Sequence, residues 1–376
     1  MAAADIWDVL VVGAGPAGAV AAATFAKRGM RVAILEKDLR PEAKPGEVLT
    51  PNAIPILSHL GLLDLIEAND SLACPLACID RAWLMARPNR EHFLGHPGGR
   101  AWVIDRVALE RLLMSRAMRA GADVFLGHHV RGLIRRHGYW SVQTRSSDGL
   151  ASLRAAFVVD ASGRAATVAR RLGAKRKSLF RLLALHVQSA SDAEWQSEPA
   201  SLTIEAAPVG WWYAVCGPRQ TLTCALFIDD PDRARSDAAR SALLAALDDT
   251  ISLPRWTKGL VRSGRVRSVD ASPSFLDHPA GEGWLAIGDA AASFDPIASQ
   301  GLANALSSAV GGAEAIGRHL MGDRLAVATF VARATETWRH SVRQLLPIYQ
   351  AAAHRWPTPF WQAHLSAGAD ESPVRM

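Results

Sequence analysis

Asp8-Val9-Leu10-Val11-Val12-Gly13-Ala14-Gly15-Pro16-Ala17-Gly18 is the stretch that decides the fold. Asp8 to Val12 reads as an apolar strand, and a glycine-rich turn follows it. Small residues from Ala17 onward make a closely packing helix that runs to about Arg28, where Gly29 ends it. Arg31 to Leu35 is a second strand, closed by Glu36. The pattern is a βαβ unit with a G-x-G-x-x-G turn inside it and an acidic residue about twenty positions on. Gly13 allows the tight turn, Gly15 lets a pyrophosphate approach bare backbone, and Gly18 lets helix and strand pack closely. The helix N-terminus, with Pro16 and Ala17 in its first turn, favours negative charge. Glu36 stands where a carboxylate accepts hydrogen bonds from a ribose diol, with Lys37 beside it.

A second constellation lies near the other end. Trp284 to Ile287 is an apolar strand that runs into Gly288-Asp289. A loop containing Pro296 follows, and Gly301 opens a long apolar helix to Leu320. Asp289 suits a polyol hydroxyl, and Pro296 stiffens a loop that would lie against a planar ring. The backbone N–H groups of Gly301 and Leu302 suit a developing anion. Two smaller signals lie between. Arg106 opens an amphipathic helix and presents a guanidinium suited to phosphate or hydroxyl. Asp160 and Gly163 sit at a strand-to-helix junction, where a short Ala-Ser-Gly run lets the backbone approach another group.

Composition bounds the rest. The chain has 376 residues, 49% hydrophobic, enough for two domains or one domain with an insertion. The net charge of +6 is scattered, and no basic stripe with interleaved aromatics argues for nucleic acid. Such a surface suits an anionic cofactor or an acidic polypeptide. No apolar run reaches the length of a membrane span, and Ala17 to Ala26 lacks the basic leader of a signal peptide. Cys74, Cys78, Cys216 and Cys224 complete no zinc pattern, so the expectation is buried thiols in a cytoplasmic protein and no metal.

The predicted architecture is a Rossmann-like α/β domain with an inserted antiparallel sheet and a helical C-terminal region. The first domain takes residues 1–76, 101–177 and 271–322. The substrate domain takes a hairpin at 77–100 and a sheet at 178–270, and helices with a tail fill 323–376. Within the sheet, strands are expected over 182–188, 201–206, 210–215 and 221–228, with helix at 231–247. A helix is expected over 165–172. The tail, with Trp356, Phe360 and Trp361, reads as a surface wrap with aromatic anchors.

Taken in this order, the four stretches resemble the FAD-dependent monooxygenases of the aromatic-hydroxylase type, from about Asp8 to Leu320. The resemblance implies that the first glycine motif and Glu36 hold the ADP half of FAD. It implies that Arg106, Asp160 and Gly163 lie by the pyrophosphate and ribityl chain. Gly288 and Asp289 would bind the ribityl chain, and the loop from Pro296 to Gly301 would face the isoalloxazine. Pro45-Gly46-Glu47 with Asp295-Pro296-Ile297-Ala298-Ser299-Gln300-Gly301 is similar to the branch holding tryptophan halogenases and geranylgeranyl reductases. Three departures argue against halogenation. Tryptophan halogenases place a glutamate where this chain has Ala298. Their relay lysine is missing from the strand around Ala77 to Trp83, which has Asp80 and Arg81. Their Trp-x-Trp-x-Ile-Pro signature is absent.

A closer likeness is to flavoprotein monooxygenases that hydroxylate a tryptophan of another polypeptide during quinone-cofactor biogenesis. Trp83, the Ala101-Trp102-x-x-Asp105-Arg106 run, Gly210-Trp211-Trp212-Tyr213, Asp295-Pro296, and Arg355-Trp356-Pro357 with Phe360-Trp361 carry it. The resemblance implies oxygen transfer from O₂ to an electron-rich aromatic ring through a flavin C4a-hydroperoxide. The aromatic substrate would be a small molecule or a tryptophan-bearing protein or peptide. Electrons would come from NADH, NADPH or a separate reductase. Glu47 and His96 are the candidate bases, Glu47 is also a candidate cofactor ligand, and Trp211, Trp212 and Tyr213 are candidates for the substrate side. A halogenase, a reductase of isoprenoid double bonds and a non-catalytic flavoprotein are the rival readings.

Overall fold

The glycine turn joins two parallel strands, β1 (Ile6–Val12) and β2 (Val32–Glu36), with α1 (Pro16–Ala26) crossing between them. The computed structural model describes residues 6–42, 47–83, 88–93, 98–190 and 201–366. The principal elements continue with β3 (Cys78–Ala82), β4 (Asn89–His92) and α2 (Arg106–Arg119). Next come β5 (Asp123–Leu126), β6 (His129–Arg136), β7 (Tyr139–Ser146), β8 (Gly149–Asp160) and the short α3 (Thr167–Arg171). Four long strands follow: β9 (Leu183–Ala190), β10 (Ser201–Ala207), β11 (Gly210–Gly217) and β12 (Thr221–Ile228). The chain ends through α4 (Ser236–Leu247), α5 (Trp256–Ser263), β13 (Val266–Asp270), β14 (Trp284–Ala286), α6 (Gly301–Leu320), α7 (Ala326–Arg355) and α8 (Pro359–Ser366).

Strands β5, β2, β1, β8 and β14 lie side by side and parallel, and β7 and β6 extend the sheet antiparallel from β8. Val9, Leu10 and Val11 are all fully buried, as expected for a parallel strand covered on both faces. α1 packs between α2 and α6. Its small residues are required by proximity: a Cβ on Gly18 would stand 1.9 Å from the Gly13 carbonyl oxygen.

The second sheet has the order β13-β9-β12-β11-β10-β3-β4. It is antiparallel throughout except where β10 runs parallel to β3. Alternation along the strands gives it two buried faces. One packs Trp212, Cys224 and Leu226 against Leu243 of α4 and Val261 of α5. The other packs Trp211, Val215 and Phe227 against Tyr349, Phe360 and Trp361.

Three expectations change. The helix expected over 165–172 begins only at Thr167, because Gly163–Ala165 forms one 3₁₀ turn and Ala166 has φ +43. Helix α5 lies in a stretch read as sheet; Thr257, Leu260 and Val261 are its buried stripe. The tail keeps its expected aromatic anchors, but as a helix packed on the second sheet rather than a surface wrap. Trp361 is fully buried, its indole N–H donates to the Ala207 carbonyl at 2.9 Å, and Trp83 meets it edge-on at 5.4 Å. Trp83 in turn donates to the Ile348 carbonyl at 2.7 Å. Those aromatic residues fasten the C-terminal helices to the sheet. Among the described residues no helix is long and apolar enough to cross a membrane, and no group of three acidic, His or Cys side chains could hold a metal.

Candidate functional site

A cavity of about 960 Å³ opens between the two sheets. Gly13, Gly15, Pro16, Ala17, Glu36 and Lys37 line one end. Glu47, Arg106, Gly163, Asp289, Pro296, Gly301 and Leu302 line its length, and Tyr213 faces it from the second sheet. Gly18, Asp160, Gly288, Trp211 and Trp212 are not among its lining residues. His96 lies outside the described residues, as do Pro45 and Gly46 of the Pro45-Gly46-Glu47 run.

The glycine turn is built by crowding on one side and open space on the other. Gly13 has φ +105, and a Cβ there would stand 2.4 Å from the Ala161 carbonyl oxygen. Gly15 has nothing within 4 Å of its Cβ position, so its backbone is bare to the cavity. The Glu36 carboxylate accepts the Ala14 N–H at 2.7 Å and the Asp38 N–H at 3.0 Å, which fixes it at the end of β2.

Asp160 is committed elsewhere. It is fully buried, and its carboxylate accepts the N–H groups of Val168 at 2.8 Å and Ala169 at 2.9 Å. Its other oxygen accepts the Ser162 hydroxyl at 2.6 Å. It caps α3 and shapes the turn that presents Gly163, rather than reaching into the cavity.

The Gly288–Ala290 turn is held from outside by Arg176. That guanidinium donates to the Asp289 carbonyl at 2.9 Å and to the Ala290 carbonyl at 2.7 Å. Gly288, at φ +56, passes so close to α1 that a Cβ would meet the Ala17 methyl at 2.9 Å. The Asp289 carboxylate is left facing the cavity, with Arg164 at 4.0 Å. Nothing in the spacing of Arg164 or Arg176 marks them in the sequence.

Arg106 is buried between two carboxylates. It pairs with Glu47 and donates to Glu110 at 2.9 Å. Its Nε is buried without a hydrogen-bond partner. At the start of α6 no side chain caps the helix, so the Gly301 and Leu302 N–H groups face the cavity bare.

Asp295 precedes this loop and lies at the cavity wall, 1% exposed. It accepts the Ile297 N–H at 2.9 Å and the Tyr349 hydroxyl at 2.9 Å. Burial pushes its pKa up to about 6, against those two hydrogen bonds. The folded state therefore holds a proton that the unfolded state loses first, and this group's contribution to stability falls as pH rises from about 4 to 6. Asp295→Asn removes that loss. Relative to the variant, the wild-type protein should lose about 1–3 kcal/mol between pH 4 and pH 7 in paired urea titrations of the cofactor-free chain.

The second sheet supplies a wall of which sequence reasoning named Tyr213 but missed His186, Ala225 and Phe227. β9, β12 and β11 carry His186, Ala225 and Tyr213 in one cross-strand row, and all three line the cavity. His186 is 4% exposed, and its Nδ1 is buried with no hydrogen bond meeting normal geometry. Burial, and then the charge of Arg267, hold it below the usual histidine range, so the ring is neutral near pH 7. Burial and the Glu47 charge push the Tyr213 hydroxyl well up, so it is a neutral phenol. Trp212 points to the opposite face. Trp211 stacks on Phe227 at 3.8 Å, and Phe227 rather than Trp211 reaches the cavity.

A parallel sheet whose glycine turn opens on a cavity, closed by a second sheet, defines a dinucleotide-binding flavoprotein fold. The chain belongs to the FAD binding domain family, whose model matches residues 7–338. It is similar to the chlorinase of 1H-pyrrole-2-carbonyl groups on a peptidyl-carrier protein from Pseudomonas fluorescens, at 25% identity over 338 residues, 81% of this chain and 74% of that protein. In structure it is similar to the flavin-dependent halogenase CmlS, with TM-score 0.83 and 23% identity over 96% of this chain and 68% of that one. It is similar also to the peptidyl tryptophan dihydroxylase QhpG, with TM-score 0.75 and 21% identity over 99% of this chain and 80% of that one.

The residues present fit FAD. The open backbone at Gly15 leaves room for a pyrophosphate, the orphaned Arg106 Nε is a donor in want of an acceptor, and the uncapped start of α6 suits a ring that takes on negative charge when reduced.

Proposed function

We propose that this protein is an FAD-dependent monooxygenase that inserts one oxygen atom of O₂ into an electron-rich aromatic ring. The observation that carries this reading is the wall of Phe227, Tyr213 and neutral His186 lining the same cavity as Pro296 and Gly301. Reduced FAD supplies the activation of O₂. Phe227 and Tyr213 offer aromatic faces against which a substrate ring packs and from which water is excluded. When a ring carbon takes on oxygen, its hydrogen leaves as a proton. The neutral His186 Nδ1, buried and lacking a normal hydrogen bond, is the acceptor. Glu47, tied to Arg106, is better placed to hold that arginine than to act as the base.

Halogenation, the activity named for two of the relatives, fits the wall less well. The relay lysine of tryptophan halogenases has no counterpart here: among the described lining residues the one lysine is Lys37, at the Glu36 end. Asp80 is spent on Arg90 at 2.7 Å, and Arg81 pairs with Glu91 at 3.6 Å. QhpG, which is named for dihydroxylation of a peptidyl tryptophan, supports the oxygen-transfer reading and makes an indole the first ring to test.

The test is oxygen uptake by the FAD-loaded protein with NADH, NADPH or a reduced-flavin donor, with and without an indole. Uptake should depend on both donor and ring, and His186→Gln should lower turnover at pH 7 by about a hundredfold. Undiminished turnover of donor under argon would overturn the reading in favour of a reductase.

A further inference from the structure

We propose that the site selects aromatic substrates bearing an anionic group, a carboxylate or a phosphate, which Arg267 anchors at the rim of the second sheet. The inference rests on the aromatic-ring reading above and narrows it. On β13, Arg267 stands directly across from His186 and Val269 directly across from Ala184. Directly paired residues share a sheet face, with Cβ atoms about 5 Å apart. His186, Ala184 and Val269 all line the cavity, so Arg267 rises from that same face at its edge. β13 is the outermost strand of the sheet, and Arg267 is exposed.

Among the described residues the Arg267 side chain has no hydrogen bond and no ion pair; its backbone is paired with β9. The nearest carboxylate along the strand, Asp270, accepts the Ser272 N–H at 2.9 Å. The charge of Arg267 is nonetheless felt inside the cavity, since it helps to keep His186 neutral. Apart from His186 and Asp270, whose carboxylate is engaged by the Ser272 N–H, the lining that the sheet strands supply is apolar or aromatic: Ala184, Ala225, Phe227, Tyr213 and Val269. A largely apolar wall edged by a guanidinium that has no side-chain partner among the described residues matches a flat ring ending in an anion.

The experiment titrates the FAD-loaded protein with indole-3-acetate, indoxyl phosphate and the neutral indole-3-acetamide, following the visible spectrum of the bound flavin. At low salt, at least one anion should bind about tenfold more tightly than the amide. The preferred anion identifies the group the site takes. Arg267→Gln should bring all three to parity, Arg267→Lys should keep most of the preference, and salt should weaken it. Equal binding of all three to the wild-type protein would overturn the anchor and leave the aromatic reading standing, as would a preference that survives Arg267→Gln. Failure of all three to perturb the flavin would overturn both.

Discussion

Gly15→Leu should give a protein that folds and retains no FAD. The backbone at Gly15 has φ −64 and ψ −177, a conformation any residue adopts, and nothing lies within 4 Å of its Cβ position. The fold therefore loses little, within about 1 kcal/mol. A leucine side chain would instead fill the space at the N-terminus of α1 where a pyrophosphate must come close to bare N–H groups. A loss of FAD affinity of at least about a hundredfold is expected, roughly 3 kcal/mol. Flavin absorbance per protein after desalting measures retention, and the melting temperature of the cofactor-free form measures the fold. Wild-type FAD content in the variant would contradict the placement of the cofactor. Gly13→Ala is the contrasting control: φ +105 and a Cβ 2.4 Å from Ala161 should harm the fold itself.

Arg106→Met should destabilise the cofactor-free protein by about 3–5 kcal/mol, the cost of removing one partner of a buried ion pair. Arg106 has a side chain only 10% exposed and sits between Glu47 and Glu110, and the Glu110 side chain is 6% exposed. Without the guanidinium, Glu110 keeps a buried negative charge or takes up a proton. Adding Glu110→Gln should recover about half of the loss, because the burdened charge is then gone. Urea titrations of the four proteins in the cycle give the coupling. A loss below about 0.5 kcal/mol in the single variant would show that Arg106 is not the electrostatic centre of the cavity wall.

The cofactor half of the site was legible because its signals are local. A glycine needs no distant partner to declare a tight turn, and Gly13, Gly15 and Gly301 lie within a few residues of the elements they connect. The long helix opening at Gly301 was read with its observed bounds, Gly301–Leu320. The second-sheet wall of the cavity was legible only at Tyr213, because it depends on which face of a strand meets the cavity. His186 sits in an apolar strand with nothing to mark it, while His96 drew notice beside glycines and a proline. Trp211, Trp212 and Tyr213 read as one aromatic patch, yet period-two alternation sends Trp212 to the α4–α5 side. Asp160 was read from its place at a strand end, which could not show that its carboxylate turns back to Ser162 and the start of α3. Long-range ties were beyond reach as well: Tyr349 holds Asp295 across 54 residues, and Arg176 grips the Asp289 turn across 113.

The same physical split governs the aromatic residues that carried the likeness to peptidyl-tryptophan hydroxylases. Trp83 meets Trp211 of the second sheet edge-on, and meets Trp361 of α8 edge-on, in one buried cluster, so their work is packing. The case for oxygen transfer rests instead on the cavity face of β9, β11 and β12. The most direct test is the mass of the product formed from an indole by the FAD-loaded, reduced protein under ¹⁸O₂ with saturating bromide. The account predicts product carrying ¹⁸O and no bromine. A brominated product without ¹⁸O would contradict it.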